Sequence, residues 1–160
     1  MPRPLLATIE HEARASYPDE ACGFLLSKAA DADEPLRAVV GTEAAPNEVD
    51  GERRRRFVIT AAGLRAAEAR ATARGEVVSG FYHSHPDHPA RPSAFDTEHA
   101  WPWYTYVVVS VDRAGACDAG AFELAAEGGA FRRCELRLGA DVPAPHTPGP
   151  LGRATAMPED

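Results

Sequence analysis

The chain has 160 residues, 44% hydrophobic and 26% charged, which is the composition of one soluble globular domain able to bury its own core. A formal net charge of −7 argues against a role in coating DNA or RNA, because neutralising phosphates needs a basic face. No apolar run approaches the ~20 residues of a membrane span, and the opening Met-Pro-Arg-Pro-Leu-Leu has no signal-peptide core. Three cysteines without paired spacing, Cys22, Cys117 and Cys134, suit reduced thiols, so a cytoplasmic protein is expected.

Leu5, Leu6, Ile9 and Ala13 fall at helical spacing and predict an amphipathic helix over Leu5–Ser16, stopped by Pro18. Ala21–Ser27 is a short apolar run that reads as a buried strand, and Leu36–Val40 as a second one. Pro46–Gly51 is a loop. The four arginines Arg53–Arg56 read either as a solvated loop leading into a short Phe57–Ile59 strand or as a docking patch for an acidic partner. Thr60 suits a helix N-cap, with the helix running to about Ala73 and closed by Gly75. Val77–His85 is a strand ended by Pro86, and Ser93 to about Ala100 is a short helix. Tyr104–Val111 is apolar enough for a central strand. Ala119–Ala125 and Phe131–Leu138 form an antiparallel pair turning at Gly128-Gly129. Asp141–Asp160 holds five prolines and few large apolar residues and reads as a disordered tail, giving a domain over 1–139 and a tail over 140–160. The order α-β-β-α-β-α-β-β-β predicts an α/β fold, a mixed sheet with flanking helices.

The chemistry concentrates between His83 and Asp96. Residues i and i+2 of a strand share a face at about 6.6 Å, so His83 and His85 can converge on one Zn²⁺ at about 2.0–2.1 Å each. Pro86 ends the strand beside them. Pro92-Ser93-Ala94-Phe95-Asp96 is a helix start, with Ser93 at the N-cap and Asp96 at N3, where an acid suits the helix dipole. Asp96 could supply a third, oxygen ligand there. Two imidazoles and a carboxylate leave one tetrahedral position open, as in catalytic zinc sites.

Hydrolysis also needs a proton carrier. Glu20, just before the first apolar strand, is the candidate, although from spacing alone it reads more readily as an exposed turn carboxylate. Cys22 reads as a small buried strand residue rather than a nucleophile. His88 reads as a cleft-lining or solvent residue and His99 as a helix-surface one. Trp101, Trp103, Tyr104 and Tyr106 read as sheet packing or as cleft lining.

Glu20-Ala-Cys-Gly-Phe-Leu-Leu, then Phe81-Tyr-His-Ser-His-Pro, then Pro92-Ser-Ala-Phe-Asp resemble the JAMM (MPN+) metalloprotease family. That family's pattern is an early Glu, His-x-His-Pro, seven residues to a Ser, and two more to an Asp. The chain meets it at Glu20, His83, His85, Ser93 and Asp96, and the likeness spans roughly Leu5 to Leu138, closest to small stand-alone prokaryotic members. The resemblance implies a cytidine-deaminase-like fold and one zinc held by His83, His85 and Asp96. It implies catalytic roles for Glu20, as base and proton carrier, and for Ser93, as a donor to the oxyanion. It also implies peptide or isopeptide cleavage after the Gly-Gly tail of a ubiquitin-like or sulfur-carrier protein. The Cys/His cluster that holds a second, structural zinc in some eukaryotic members is absent from the sequence.

The rival class is a non-catalytic MPN-type interaction module, which usually lacks one or more ligands, whereas this chain keeps them all. A zinc deaminase would need His-x-Glu and Pro-Cys-x-x-Cys, and a zincin His-Glu-x-x-His; none occurs.

Overall fold

In the computed structural model, which describes residues 1–29, 37–124 and 129–139, nine elements follow the anticipated order. They are α1 (Arg3–Ser16), β1 (Cys22–Lys28), β2 (Val39–Ala45), α2 (Ala61–Ala73), β3 (Glu76–Pro86), α3 (Ala94–His99), β4 (Thr105–Val111), β5 (Cys117–Leu124) and β6 (Phe131–Cys134). The strands form one mixed sheet in the order β2-β1-β3-β4-β5-β6. Only β3 and β4 run parallel, because α3 carries the chain back between them; every other neighbouring pair is antiparallel.

Strand alternation splits the core in two. Leu25, Tyr82, Val107, Val109 and Val111 face α1, whose Leu5, Leu6, Ile9 and Ala13 form the stripe expected from the sequence. Phe24, Leu26, Phe81, Tyr106 and Val108 face the other way, onto Ala67 and Ala71 of α2. Small residues on α2 let it lie close to the sheet, and Thr60 caps it by accepting from the Gly63 N–H at 3.1 Å. His83 and His85 continue the Phe81 row, so they emerge on the α2 face where β3 outlasts its partner β1.

Two glycines make the sheet possible. A Cβ at Gly80 would sit 2.0 Å from the Thr105 carbonyl oxygen, and one at Gly23 would sit 2.4 Å from the Tyr82 ring and the Glu43 carbonyl. Tyr82 is fully buried and hydrogen-bonds Glu12 of α1 through its hydroxyl. Cys22 is buried in β1, its thiol pushed up to about 12 by burial, and all three cysteines are free.

Three boundaries differ from the sequence reading. The second strand is Val39–Ala45 rather than Leu36–Val40, since its register with β1 runs from Cys22↔Ala45 to Ser27↔Val39. Phe57–Ile59 forms no strand: the Val58 N–H and C=O are taken by Asn47 Oδ1 and the Glu48 N–H. The last strand stops at Cys134, because the segment after it turns to the N-terminus, where the Gly139 N–H donates to the Met1 carbonyl. The Gly128 turn and the proline-rich tail lie outside the described residues.

Among the described residues, no helix is long and apolar enough to cross a membrane.

Candidate metal centre

His83 and His85 leave the C-terminal end of β3 on one face, and α3 returns Asp96 to them. The two Nε2 atoms stand 3.0 Å apart, and Asp96 Oδ2 lies 3.4 Å from the first and 3.3 Å from the second. All three residues are buried. Four tetrahedral bonds of about 2.0–2.1 Å separate their donor atoms by about 3.3–3.4 Å, which is close to this triangle.

The protons fit as well. His85 Nδ1 lies 3.0 Å from the Pro89 carbonyl oxygen, which can only accept. The proton of a neutral His85 therefore sits on Nδ1, and the Nε2 lone pair points at His83 and Asp96. Phe57 stacks on the His83 ring at 4.4 Å and shields its outer face, and His83 Nδ1 has no partner. Three Lewis-basic atoms thus meet in a buried place with no N–H or O–H between His85 and Asp96 to reconcile them. Such a set suits a cation with borderline affinity for nitrogen and oxygen. His83, His85 and Asp96 could hold a metal ion.

Asp96 is fixed from behind. Its Oδ2 accepts from the Ser93 N–H at 2.6 Å and the Ser93 hydroxyl at 2.7 Å, while its own N–H donates to Ser93 Oγ at 3.1 Å. This capping box was legible in the sequence, which also offered its Asp96 as a third ligand; the fold brings that carboxylate to the two imidazoles. Burial opposes ionisation of Asp96, but the adjoining His83 and His85 rings and the Ser93 N–H outweigh it and hold the carboxyl far below its usual range. Burial lowers His83. The same burial acts on His85, but Asp96 overrides it and raises that ring. The three titrate as one unit.

Glu20 is buried rather than exposed, and its Oε2 has no hydrogen-bond partner. It lines the same cleft as His85 and Ser93, a hollow of about 430 Å³. The β1–β3 register, which pairs Cys22 with His83, brings it there. Burial pushes its carboxyl up to about 8; the His85 ring opposes that shift and Asp96 adds to it.

The sequence did not single out Asn47. Its Nδ2 donates to the Glu20 carbonyl at 3.3 Å and the Arg56 carbonyl at 3.0 Å, and its Oδ1 accepts from the Val49 and Val58 N–H groups at 3.2 Å. With the Glu20 N–H donating to the Arg53 carbonyl at 2.8 Å, this ties the arginine loop to the segment bearing Glu20. Asparagine in a Pro-Asn turn signals local backbone bonding, but partners 9, 11 and 27 positions away leave no spacing to detect.

An apolar pocket of about 240 Å³ adjoins the centre on the other side, with Phe57, Ile59, Phe95, Trp101 and Tyr106 in its walls and His83 and Asp96 at its floor. Of the four aromatics in question, Trp101 and Tyr106 thus line a cavity, and Trp103 projects into solvent. His88 lines the Glu20 cleft, and the exposed His99 stacks on Phe95.

The chain matches the family of prokaryotic homologs of the JAB domain over residues 2–123. It belongs to that family. A desampylase from Haloferax volcanii is 33% identical to this JAB-domain chain over 113 residues, which are 68% of the chain and 74% of the desampylase. A protein of Desulfitobacterium hafniense, solved in solution, superposes with a TM-score of 0.74 at 26% identity, over 89% of this chain and 93% of that one. A JAB1/MPN domain protein from Archaeoglobus fulgidus shares the fold at 20% identity, with a TM-score of 0.50 over 85% of this chain and 93% of that one. The α/β architecture expected of a small stand-alone prokaryotic JAMM/MPN protein is therefore present.

Proposed function

We propose that this chain is a zinc-dependent peptidase that cleaves the peptide or isopeptide bond after the C-terminal Gly-Gly of a ubiquitin-like protein, sulfur carriers of that fold included. The observation that carries this reading is the convergence of His83 Nε2, His85 Nε2 and Asp96 Oδ2 beside the unpartnered carboxylate oxygen of Glu20. The likeness to a desampylase supports a deconjugating activity.

His83, His85 and Asp96 would hold the zinc. When bound, the ion supplies Lewis acidity that polarises the scissile carbonyl and makes water acidic enough to attack near neutral pH. Glu20 Oε2 removes one proton from the attacking water as its oxygen bonds to the carbonyl carbon. Glu20 then delivers that proton to the departing nitrogen as the C–N bond breaks. A carboxyl already pushed up to about 8 by burial is well suited to both halves of that transfer. Ser93 keeps Asp96 oriented, and its hydroxyl, turned from Asp96 Oδ2, can donate to the developing oxyanion. Phe57 keeps water from the outer face of His83. Two glycines before the scissile bond let a backbone approach where side chains could not.

The test is a ubiquitin-like protein ending in Gly-Gly fused to a reporter. Cleavage after the second glycine is expected, with complete loss on chelation and recovery on adding zinc. Glu20→Gln is expected to lower kcat by at least roughly a hundredfold while about one zinc per chain stays bound. Full activity in Glu20→Gln would remove the base assignment, and cleavage that survives complete zinc removal would remove the metallopeptidase reading.

A further inference from the structure

The arginine run has no place in the chemistry above, yet it borders the cleft. Arg55 and Arg56 line it together with Glu20 and His85, and Arg91 enters from the loop after β3. Arg54 and Arg55 line the neighbouring hollow, beside Glu52 and Asp87. All of Arg53–Arg56 and Arg91 are exposed, and among the described residues none forms an ion pair with a carboxylate. Arg14, Arg70, Arg74, Arg132 and Arg137 do form such pairs; among the described residues Arg3, Arg37, Arg65, Arg113 and Arg133 form none either, but they do not line this cleft. Five arginines without an ion pair thus gather positive charge at one cleft of a chain whose net charge is −7, with Glu52 and Asp87 as acids beside them.

The patch is held in place. The Arg53 carbonyl is bonded to the Glu20 N–H and the Arg56 carbonyl to Asn47. The Arg56 guanidinium lies over the Phe95 ring at 5.0 Å, one residue from Asp96. A guanidinium stacked on a ring keeps its N–H edge free for a carboxylate.

We propose that Arg53–Arg56 and Arg91 form a docking rim for an acidic face on the folded body of the substrate protein, beside its tail. This rests on the ubiquitin-like substrate reading above and adds the charge that the partner must carry. Charge complementarity calls for an anionic partner, and two observations favour a carboxylate-bearing protein over a nucleic acid. The overall −7 repels a long polyanion, and the aromatic ring at the rim, Phe95, is already covered by Arg56 instead of open for base stacking.

The experiment measures binding, not turnover, so that it stands apart from the peptidase reading. The Glu20→Gln chain is titrated with a ubiquitin-fold protein of strongly acidic charge that ends in Gly-Gly, and with the same protein after the carboxylates bordering its tail are changed to amides. Binding to the acidic form is expected to weaken with added salt. It should fall roughly tenfold with Arg54→Glu/Arg55→Glu, or with the amidated partner, and return with Arg54→Lys/Arg55→Lys. The melting temperature of the reversal variant, unchanged, shows that the fold persists. No measurable binding of the acidic protein, or binding untouched by charge reversal, overturns the proposal. So does arginine-dependent binding of a short single-stranded RNA in place of the protein. Arginine-dependent binding by a chain that proves to have no peptidase activity would remove the peptidase reading and uphold the rim.

Discussion

Ser93 shows how much one hydroxyl can carry. Its Oγ accepts the Asp96 N–H and donates to Asp96 Oδ2, so it caps α3 and steers the carboxylate together. Ser93→Ala is expected to cost about 1 kcal/mol through the lost cap, about 2–4 °C of melting temperature in a domain of this size. Zinc affinity should fall roughly tenfold as the carboxylate loses its outer hydrogen bond. Ser93→Thr, which keeps the hydroxyl, should restore affinity. Titration with a competing chelator separates this from an effect on kcat alone: unchanged zinc affinity in Ser93→Ala would show that the hydroxyl does not position Asp96. At this scale the side chains that converge on the centre were legible because their geometry is local. A strand's period of two puts His83 with His85, and a helix cap puts Ser93 with Asp96. The burial of Glu20 was not legible, since it depends on pairing Cys22 with His83 across the sheet.

The elements divide along the same line. Apolar patterning located α1, β3 and β4 to within a few residues, because α1 buries one regular stripe and β3 and β4 are apolar runs buried on both faces. The sequence reading placed the loop at Pro46–Gly51 and the Thr60 cap correctly but took Phe57–Ile59 for a strand, in a stretch where no face repeats and one amide organises the backbone. Asn47 completes all four of its hydrogen bonds across Glu20, Val49, Arg56 and Val58. Replacing it with alanine leaves two carbonyls and two N–H groups without that partner, each half-buried one costing about 1 kcal/mol or more. The loop rather than the sheet should loosen. Asn47→Ala is therefore expected to be cut by trypsin within Arg53–Arg56 at least several times faster than the parent, with kcat reduced because Glu20 loses its tether. Peptide mapping of a timed digest reads this directly; equal cleavage rates would mean that the loop is held by something else.

At the scale of the molecule, α1 seals one face of the sheet with an almost wholly apolar cluster, while the α2 face gives up part of its area to buried His83, His85, Asp96 and Glu20. A short crossover forces that compromise. The crossover helix α3 has only six residues, and the cleft lies at the carboxyl ends of the parallel strands, the usual position of a site in such sheets. Buried basic atoms facing one another weaken a fold unless a cation joins them. Metal should therefore contribute to stability as well as to chemistry. At a free zinc concentration a hundred times the dissociation constant, binding contributes about 2.7 kcal/mol, equivalent to a rise of roughly 5–11 °C in melting temperature for a chain of this length. Asp96→Asn keeps the shape of the side chain but removes the charged ligand, and should lose most of that rise. Glu20→Gln should keep it, because Glu20 stands beside the centre without belonging to it. Differential scanning calorimetry of the metal-free and zinc-loaded forms of all three chains decides the matter. A full zinc-dependent rise in Asp96→Asn, or none in the parent, would mean that these three side chains are not the ligand set, whatever the activity of the preparation.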